Sequence, residues 1–131
     1  MKEIIELHRK AIFPLWDKIK REYSVKDVED YVKETFRKGE IFGYFENNRL
    51  VGCVGIIFDK KNNSGEIRHL IVGPKFQGEG IGRKLMTSVE DYSKNKVKKL
   101  LLNVLVKNKA VSFYKKIGYT KYCYIMKKKL K

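Results

Sequence analysis

Cysteines are few in this chain, and long apolar runs are missing. The 131 residues contain two cysteines, Cys53 within an apolar run and Cys123 between two tyrosines, and this spacing predicts neither a disulfide framework nor a metal site. No apolar stretch approaches the roughly 20 residues that cross a membrane. Met1-Lys2-Glu3 leads into a charged amphipathic segment, so we expect no signal peptide. We therefore expect a cytoplasmic protein with reduced cysteines, no metal and no membrane partner.

The length and the net charge of the chain further limit the classes of protein to which it could belong. We expect a single domain over residues 1–131, long enough to bury about two-thirds of its unfolded surface. The net charge of +15 would suit a nucleic-acid-binding domain, but the lysines are spread along the chain and no recognition-helix or RNP pattern accompanies them. We expect no specific nucleic-acid partner, although the charge favours phosphate-bearing ligands in general.

The apolar periodicity predicts an α+β fold. Pro14 should bend or split the first helix, and Ser24 with Asp27 forms a capping pair at the start of the second. Gly52 and Gly55 indicate a bulge or a close backbone approach within a strand. The predicted helices cover residues 4–19, 25–38, 81–92 and 109–117, and the predicted strands cover residues 41–45, 50–59, 66–72, 99–106 and 122–129.

Three glycines stand close together in the stretch Gln77-Gly78-Glu79-Gly80-Ile81-Gly82. The stretch follows an apolar run over residues 67–72 and opens an amphipathic helix, so a strand, a glycine-rich turn and a helix start follow one another. Glycines let backbone N–H groups approach a bound group, and the helix start adds unpaired donors and the positive end of its dipole. This order predicts an anion site suited to a pyrophosphate.

The glycine spacing excludes two common nucleotide motifs. A dinucleotide fingerprint, G-x-G-x-x-G counted from Gly78, would need glycine where Arg83 stands, and a P-loop would need Lys-Ser/Thr after Gly82. The remaining pattern, Q-x-x-G-x-G, is followed about thirty residues later by Asn108 and then by Phe113-Tyr114-Lys115-Lys116-Ile117-Gly118-Tyr119. Together these two motifs resemble the acetyl-CoA motifs of the GNAT N-acetyltransferase superfamily, and the resemblance covers roughly residues 66–119.

The resemblance implies a fold and a cosubstrate. The fold would be a mixed, mostly antiparallel central sheet flanked by helices, and the cosubstrate would be acetyl-CoA. The family usually opens with a strand, whereas this chain is expected to begin with a helix and to lack that first strand. The family's sheet splays after the strand over residues 66–72, and the pantetheine arm of CoA fills the gap. The cofactor-binding residues would then be Leu70, Ile71, Val72, Gln77, Gly78, Gly80, Gly82, Arg83 and Asn108.

The resemblance also suggests catalytic residues. Tyr114 matches a family tyrosine that protonates the departing thiolate of CoA, and the backbone N–H near Val72 would stabilise the oxyanion. Glu66 matches the glutamate base of the histone-acetylating branch. His69 is a second candidate base because its ordinary pKa suits the task, and by strand alternation it should face away from Glu66. A positioned water is the third possibility.

Two functions remain open on this evidence. The first is an N-acetyltransferase that moves an acetyl group from acetyl-CoA to a primary amine of a small molecule or protein, by direct attack in a ternary complex. The second is a non-catalytic acyl-CoA-binding module of the same fold. The family resemblance also makes a homodimer possible, and the identity of the amine acceptor is not encoded in a readable motif.

Overall fold

The computed structural model describes residues 1–106 and 108–130. Within them, a sheet with strand order β1-β2-β3-β4 is antiparallel from β1 to β3, and β4 runs parallel to β3. The expected mixed, mostly antiparallel sheet flanked by helices is confirmed. The helices are α1 (Lys2–Leu7), α2 (Phe13–Lys18), α3 (Val25–Lys38), α4 (Ile81–Ser93) and α5 (Ala110–Lys116), and the strands are β1 (Glu40–Glu46), β2 (Arg49–Asp59), β3 (Ser64–Val72) and β4 (Lys99–Leu101).

The first helical region is interrupted as its proline predicts. A π-helical turn over His8–Ile12 separates α1 from α2, and Pro14 lies in the first turn of α2, where its missing N–H costs least. No strand precedes α1 in the described part of the chain, in agreement with the prediction of a helical start. The start of α3 is also confirmed, because the Ser24 hydroxyl accepts the Asp27 N–H at 3.3 Å.

Helices cover both faces of the sheet and form two cores. On one face, α1, α2 and α3 pack on Cys53 of β2 and Ile71 of β3. On the other face, α4 and α5 pack on Val54, Ile56 and Ile67. None of the helices within residues 1–106 and 108–130 is long and apolar enough to cross a membrane.

A β-bulge in β3 moves Ile67 and Ile71 to opposite faces, although they are four residues apart. Cys53 pairs with Ile71 and Gly55 pairs with Arg68, so two residues of β3, His69 and Leu70, oppose the single residue between them on β2. His69 has a backbone φ of 55°, in the left-handed region. The bulge breaks strict alternation, as an extra strand residue must.

The C-terminal third departs from the predicted strands. The strand expected over residues 99–106 covers only Lys99–Leu101, and the strand expected over residues 122–129 is not formed. The reason is pairing, because β4 follows β3 only from Ser64 to Glu66 and the chain then diverges from the sheet. Between Tyr122 and Leu130 the large apolar side chains are 69–90% exposed, so the alternating pattern there has no sheet neighbour. The helix expected over residues 109–117 is confirmed within one residue at each end.

Candidate active site

The glycine-rich loop leaves open space where an anion could approach. Gly78 and Gly80 have φ values of 84° and 83°, and a Cβ built on either would meet nothing within 4 Å. Both positions therefore need glycine for backbone reasons while the space above them is free. Gly80 precedes the first residue of α4, no side chain caps this helix, and the first N–H to return into it is that of Lys84, to the Gly80 carbonyl at 3.0 Å. The preceding amides are free to bind an anion.

Gln77 and Gly82 tie this loop to its surroundings. The Gln77 side-chain amide donates to the Val72 carbonyl at 3.0 Å, so it fastens the loop to the end of β3. A Cβ on Gly82 would lie 3.5 Å from Phe113 Cζ and 3.7 Å from Val72 Cγ2. The end of β3, the start of α4 and helix α5 therefore meet at one point, and residues from both sequence motifs line it.

The edge of β3 beside this point has no strand partner within the described residues. Pairing with β4 stops at Glu66, so Leu70, Ile71 and Val72 are paired only with β2 or not at all. The Gly73 N–H donates to the Val51 carbonyl at 2.8 Å, which makes Gly52 and Val72 a non-hydrogen-bonded pair. The Val72 N–H and C=O therefore point away from β2, towards the open edge.

Tyr114 lies on α5 among aromatic neighbours. Its ring centroid is 5.4 Å from that of Phe113 and 6.0 Å from that of Tyr119. Burial raises the pKa of Tyr114 to about 12, so the phenol stays protonated at neutral pH and can only donate or accept hydrogen bonds. The neighbouring Tyr119 hydroxyl donates to Glu90 Oε2 at 3.0 Å, which anchors α5 to α4.

The remaining predicted cofactor residues lie around the loop. Asn108 Oδ1 accepts the Ala110 N–H at 2.9 Å, which orients its side chain at the start of α5 and leaves its NH₂ group for another partner. Arg83 is exposed and lines a groove of about 370 Å³ between α4 and α5, together with Glu90, Lys116 and Gly118. The side chains of Arg83 and Lys116 are therefore available to phosphate groups that enter this groove.

Glu66 lies on the opposite face of the sheet from Tyr114, where an arginine holds it. Arg68 Nε donates to Glu66 Oε1 at 2.6 Å, and Arg68 Nη1 donates to Glu34 Oε1 at 2.6 Å. The guanidinium also stacks on the Tyr31 ring, 4.0 Å from its centroid. The Arg68 side chain is only 11% exposed, and its proximity holds the pKa of the Glu34 carboxyl below its usual value. Arg68 is not among the site residues predicted from the sequence, although residues two apart on a strand share a face and its spacing from Glu66 could have indicated this pair.

His69 faces the same side of the sheet as Glu66, so the expectation from strand alternation is wrong, and the bulge is the reason. Its Nε2 lies 3.0 Å from the hydroxyl of Thr35, which also lies 3.4 Å from Arg68 Nη1. The ring centroids of His8 and Tyr31 lie 5.6 and 5.2 Å from that of His69. Burial, with smaller effects of His8 and Arg68, lowers the pKa of His69 to about 3, so the imidazole is a weak base at neutral pH.

The β3 edge without a described partner beyond Glu66, the glycine-rich start of α4 and the aromatic residues of α5 agree with the arrangement that the GNAT resemblance implies. The model of the acetyltransferase (GNAT) family matches residues 2–119, and the chain belongs to this family.

Solved structures of other proteins share the fold over nearly the whole chain. A protein from Pyrococcus horikoshii has a TM-score of 0.79 and 26% identity, with 95% of this chain and 83% of that chain covered. The PaiA N-acetyltransferase from Thermoplasma acidophilum, solved in complex with coenzyme A, has a TM-score of 0.71 and 23% identity, with 91% and 82% covered. An uncharacterized N-acetyltransferase from Methanocaldococcus jannaschii is 37% identical over 69 residues, which are 51% of this chain and 30% of that protein.

Proposed function

We propose that residues 1–131 form a single catalytic domain that transfers an acetyl group from acetyl-CoA to a primary amine. The observation that carries the proposal is the open edge of β3 at Val72, which lies beside the uncapped start of α4. An extended, amide-bearing arm with a pyrophosphate at one end fits this pair of features, because the edge offers backbone hydrogen bonds and the helix start offers anion donors. The coenzyme A complex of the Thermoplasma acidophilum protein supports this choice of cosubstrate.

In this proposal, each part of the site binds one part of acetyl-CoA. The loop amides at Gly78, Gly80 and Gly82 hold the pyrophosphate, and Arg83 neutralises phosphate charge. The open edge at Leu70, Ile71 and Val72 pairs with the pantetheine arm, and the free NH₂ group of Asn108 donates to one of its carbonyls. Gln77 acts indirectly, since its amide is already bonded to the Val72 carbonyl and keeps the loop against the strand.

The chemistry then needs two hydrogen-bond donors on the acyl group. The outward-pointing Val72 N–H stabilises the oxyanion that forms as the amine attacks the carbonyl carbon. Tyr114 donates to the departing sulfur. A free thiol has a pKa of about 8.5, well below the value of about 12 for Tyr114. Full proton transfer from Tyr114 is therefore unfavourable, and its contribution is a hydrogen bond to the developing thiolate.

The amine must lose a proton, since a free lysine amine has a pKa of about 10.4. A pKa of about 3 and a half-buried position against His8, Tyr31 and Thr35 make His69 the poorest of the candidate bases. Glu66 keeps 36% of its side chain exposed, but one oxygen is bonded to Arg68. Glu66 precedes Val72 by six residues of β3, roughly 20 Å at about 3.3 Å per residue. We therefore propose that the proton reaches the free oxygen of Glu66 through a chain of waters and not by direct contact with the amine.

An acyl-CoA-binding module without activity is the alternative, and a thiol-release assay separates the two. Steady-state release of free CoA from acetyl-CoA is measured with a panel of primary amines, from polyamines and amino sugars to peptides with free N-termini. Amine-dependent turnover that disappears in the double variant Tyr114→Phe, Glu66→Gln supports the enzyme. Tight acetyl-CoA binding with no release above the hydrolysis background for any amine would favour the binding module.

A further inference from the structure

Thr35 and His69 form a part-buried contact between α3 and the bulge of β3, and the proposed chemistry does not use it. Thr35 is completely buried, and its hydroxyl donates to the Tyr31 carbonyl at 3.0 Å. Since a hydroxyl has one hydrogen and two lone pairs, its 3.0 Å contact with His69 Nε2 must be a bond that the histidine donates. The neutral Nε2–H tautomer of His69 is thereby selected.

The backbone of His69 is also held. The Cys53 thiol donates to the His69 carbonyl at 3.3 Å, from the strand on the other side of the bulge. Gly55 leaves room for the contact, because a Cβ there would lie 2.9 Å from Thr35 Cγ2 and 3.4 Å from His69 Cδ2. Contacts from α3 and β2 thus converge on one residue.

That residue carries the strained backbone of β3. A left-handed φ costs a non-glycine residue free energy, and His69 at φ 55° has contacts on its ring and on its carbonyl that can offset this cost. The bulge lies three residues before Val72. It sets which side of β3 each later backbone group faces, and so it determines that the Val72 N–H points to the open edge.

We propose that Thr35 and His69 are positioning residues that hold the β3 bulge, and with it the Val72 N–H, in the orientation needed for acyl transfer. The catalytic half of this inference rests on the proposed function. The structural half, that the Thr35–His69 contact holds the bulge, does not.

Three variants test the contact without touching the acetyl-CoA loop. Thr35→Val removes the hydroxyl and keeps the shape, His69→Gly removes the ring and keeps a residue that tolerates the left-handed backbone, and Thr35→Ser restores the hydroxyl. Thr120→Val, at an exposed threonine, and Lys20→Gly, at an exposed residue with φ 59°, are the matched controls. If His69→Gly fails to fold, the comparison of Thr35→Val with Thr35→Ser decides whether the Thr35 hydroxyl holds the bulge.

The first measurement is amide hydrogen exchange by NMR, and it does not depend on activity. Ile71 is the reporter because the ladder places its N–H towards Cys53, and Val89 in the middle of α4 reports on global opening. We expect Thr35→Val and His69→Gly to speed exchange at Ile71 at least tenfold and at Val89 less than threefold, with Thr35→Ser and both controls near the parent. Equal acceleration at both sites, or none at Ile71, would overturn the proposal.

The second measurement is the division of the kinetic effect between kcat and KM. Because the Val72 N–H acts on the transition state and the loop holds the phosphates, we expect kcat to fall at least tenfold and KM for acetyl-CoA to change less than threefold. A loss confined to KM, or a Thr35→Ser variant as slow as Thr35→Val, would contradict the positioning role. A parent protein that transfers no acetyl group would refute the proposed function alone, and the exchange data would still decide whether the contact holds the bulge.

Discussion

Lowering the pH from 7 to 5 should destabilise this protein through His69. The folded state holds the pKa of His69 at about 3, against 6.5 for an ordinary histidine. At pH 5 the unfolded chain therefore binds a proton that the folded chain does not, and stability falls with pH wherever the unfolded state binds more protons. At pH 5 the unfolded histidine favours its protonated form by about 30 to 1. Because the folded state keeps the ring neutral, the free energy of unfolding at pH 5 is lower by about 2 kcal/mol than it would be without this preference.

Other groups act in the same direction or outside this pH window. Burial also lowers the pKa of His8, so this residue adds to the loss below pH 6.5. The pKa of Glu34 is lowered by Arg68, and the stability linked to it is lost only below its ordinary value of 4.5. Repulsion within a chain of net charge +15 grows as the pH falls, but it affects a His69 variant equally.

Urea unfolding at pH 7 and pH 5 measures the effect, with His69→Asn as the matched variant. Asparagine tolerates the left-handed backbone but cannot titrate. The parent should lose about 2 kcal/mol more than the variant between the two pH values. Parallel losses in the two proteins would show that His69 is solvated in the folded state and would refute the burial argument.

Three substitutions test separate parts of the site. Gly80→Asp places a carboxylate in the open space of the loop and should weaken acetyl-CoA binding, measured by calorimetry, by at least about tenfold. Gly80→Ala has the same backbone strain without the charge and should lose less affinity. Equal losses of affinity in the two variants would mean that phosphate does not bind there. Tyr114→Phe should lower kcat by about ten- to a thousandfold at nearly unchanged acetyl-CoA affinity. Tyr119→Phe, the control, should leave kcat near that of the parent. A fully active Tyr114→Phe variant would show that Tyr114 is a packing residue. Glu66→Gln should slow the reaction most at low pH and recover part of the rate as the pH rises. Glu34→Gln breaks the other ion pair of Arg68, and its rate should stay within about threefold of the parent. Identical pH–rate profiles for the two variants would reject Glu66 as the base.

The parts of the fold that the sequence predicts well depend on local interactions. The capping pair at Ser24, the π-helical interruption before Pro14 and the start of α4 after Gly80 each follow from a few neighbouring residues. The first three strands also agree with the prediction within two residues, because glycine and asparagine turns separate them. The glycine-rich turn before α4 lies where the spacing predicts it, and two of its glycines have left-handed φ values.

The parts that the sequence does not predict depend on pairing between distant segments. The bulge at His69 is a property of the register between β2 and β3, so counting alternate residues placed His69 on the wrong face. Residues 102–106 have an apolar pattern typical of a central strand, but the path of β3 gives them no partner beyond Glu66. The contact between Arg68 and Glu34 joins residues 34 apart, and no local pattern encodes it.

A crystal structure of the protein with bound coenzyme A would show directly whether acetyl-CoA binds at the open edge of β3. We predict that the pantetheine arm lies along the β3 edge beyond Glu66, with the pyrophosphate on the amides around Gly80. The sulfur should lie within hydrogen-bond reach of the Tyr114 hydroxyl and close to the Val72 N–H. A coenzyme bound elsewhere, or an edge closed by pairing of β3 with residues 102–106, would contradict the proposed acetyl-CoA site.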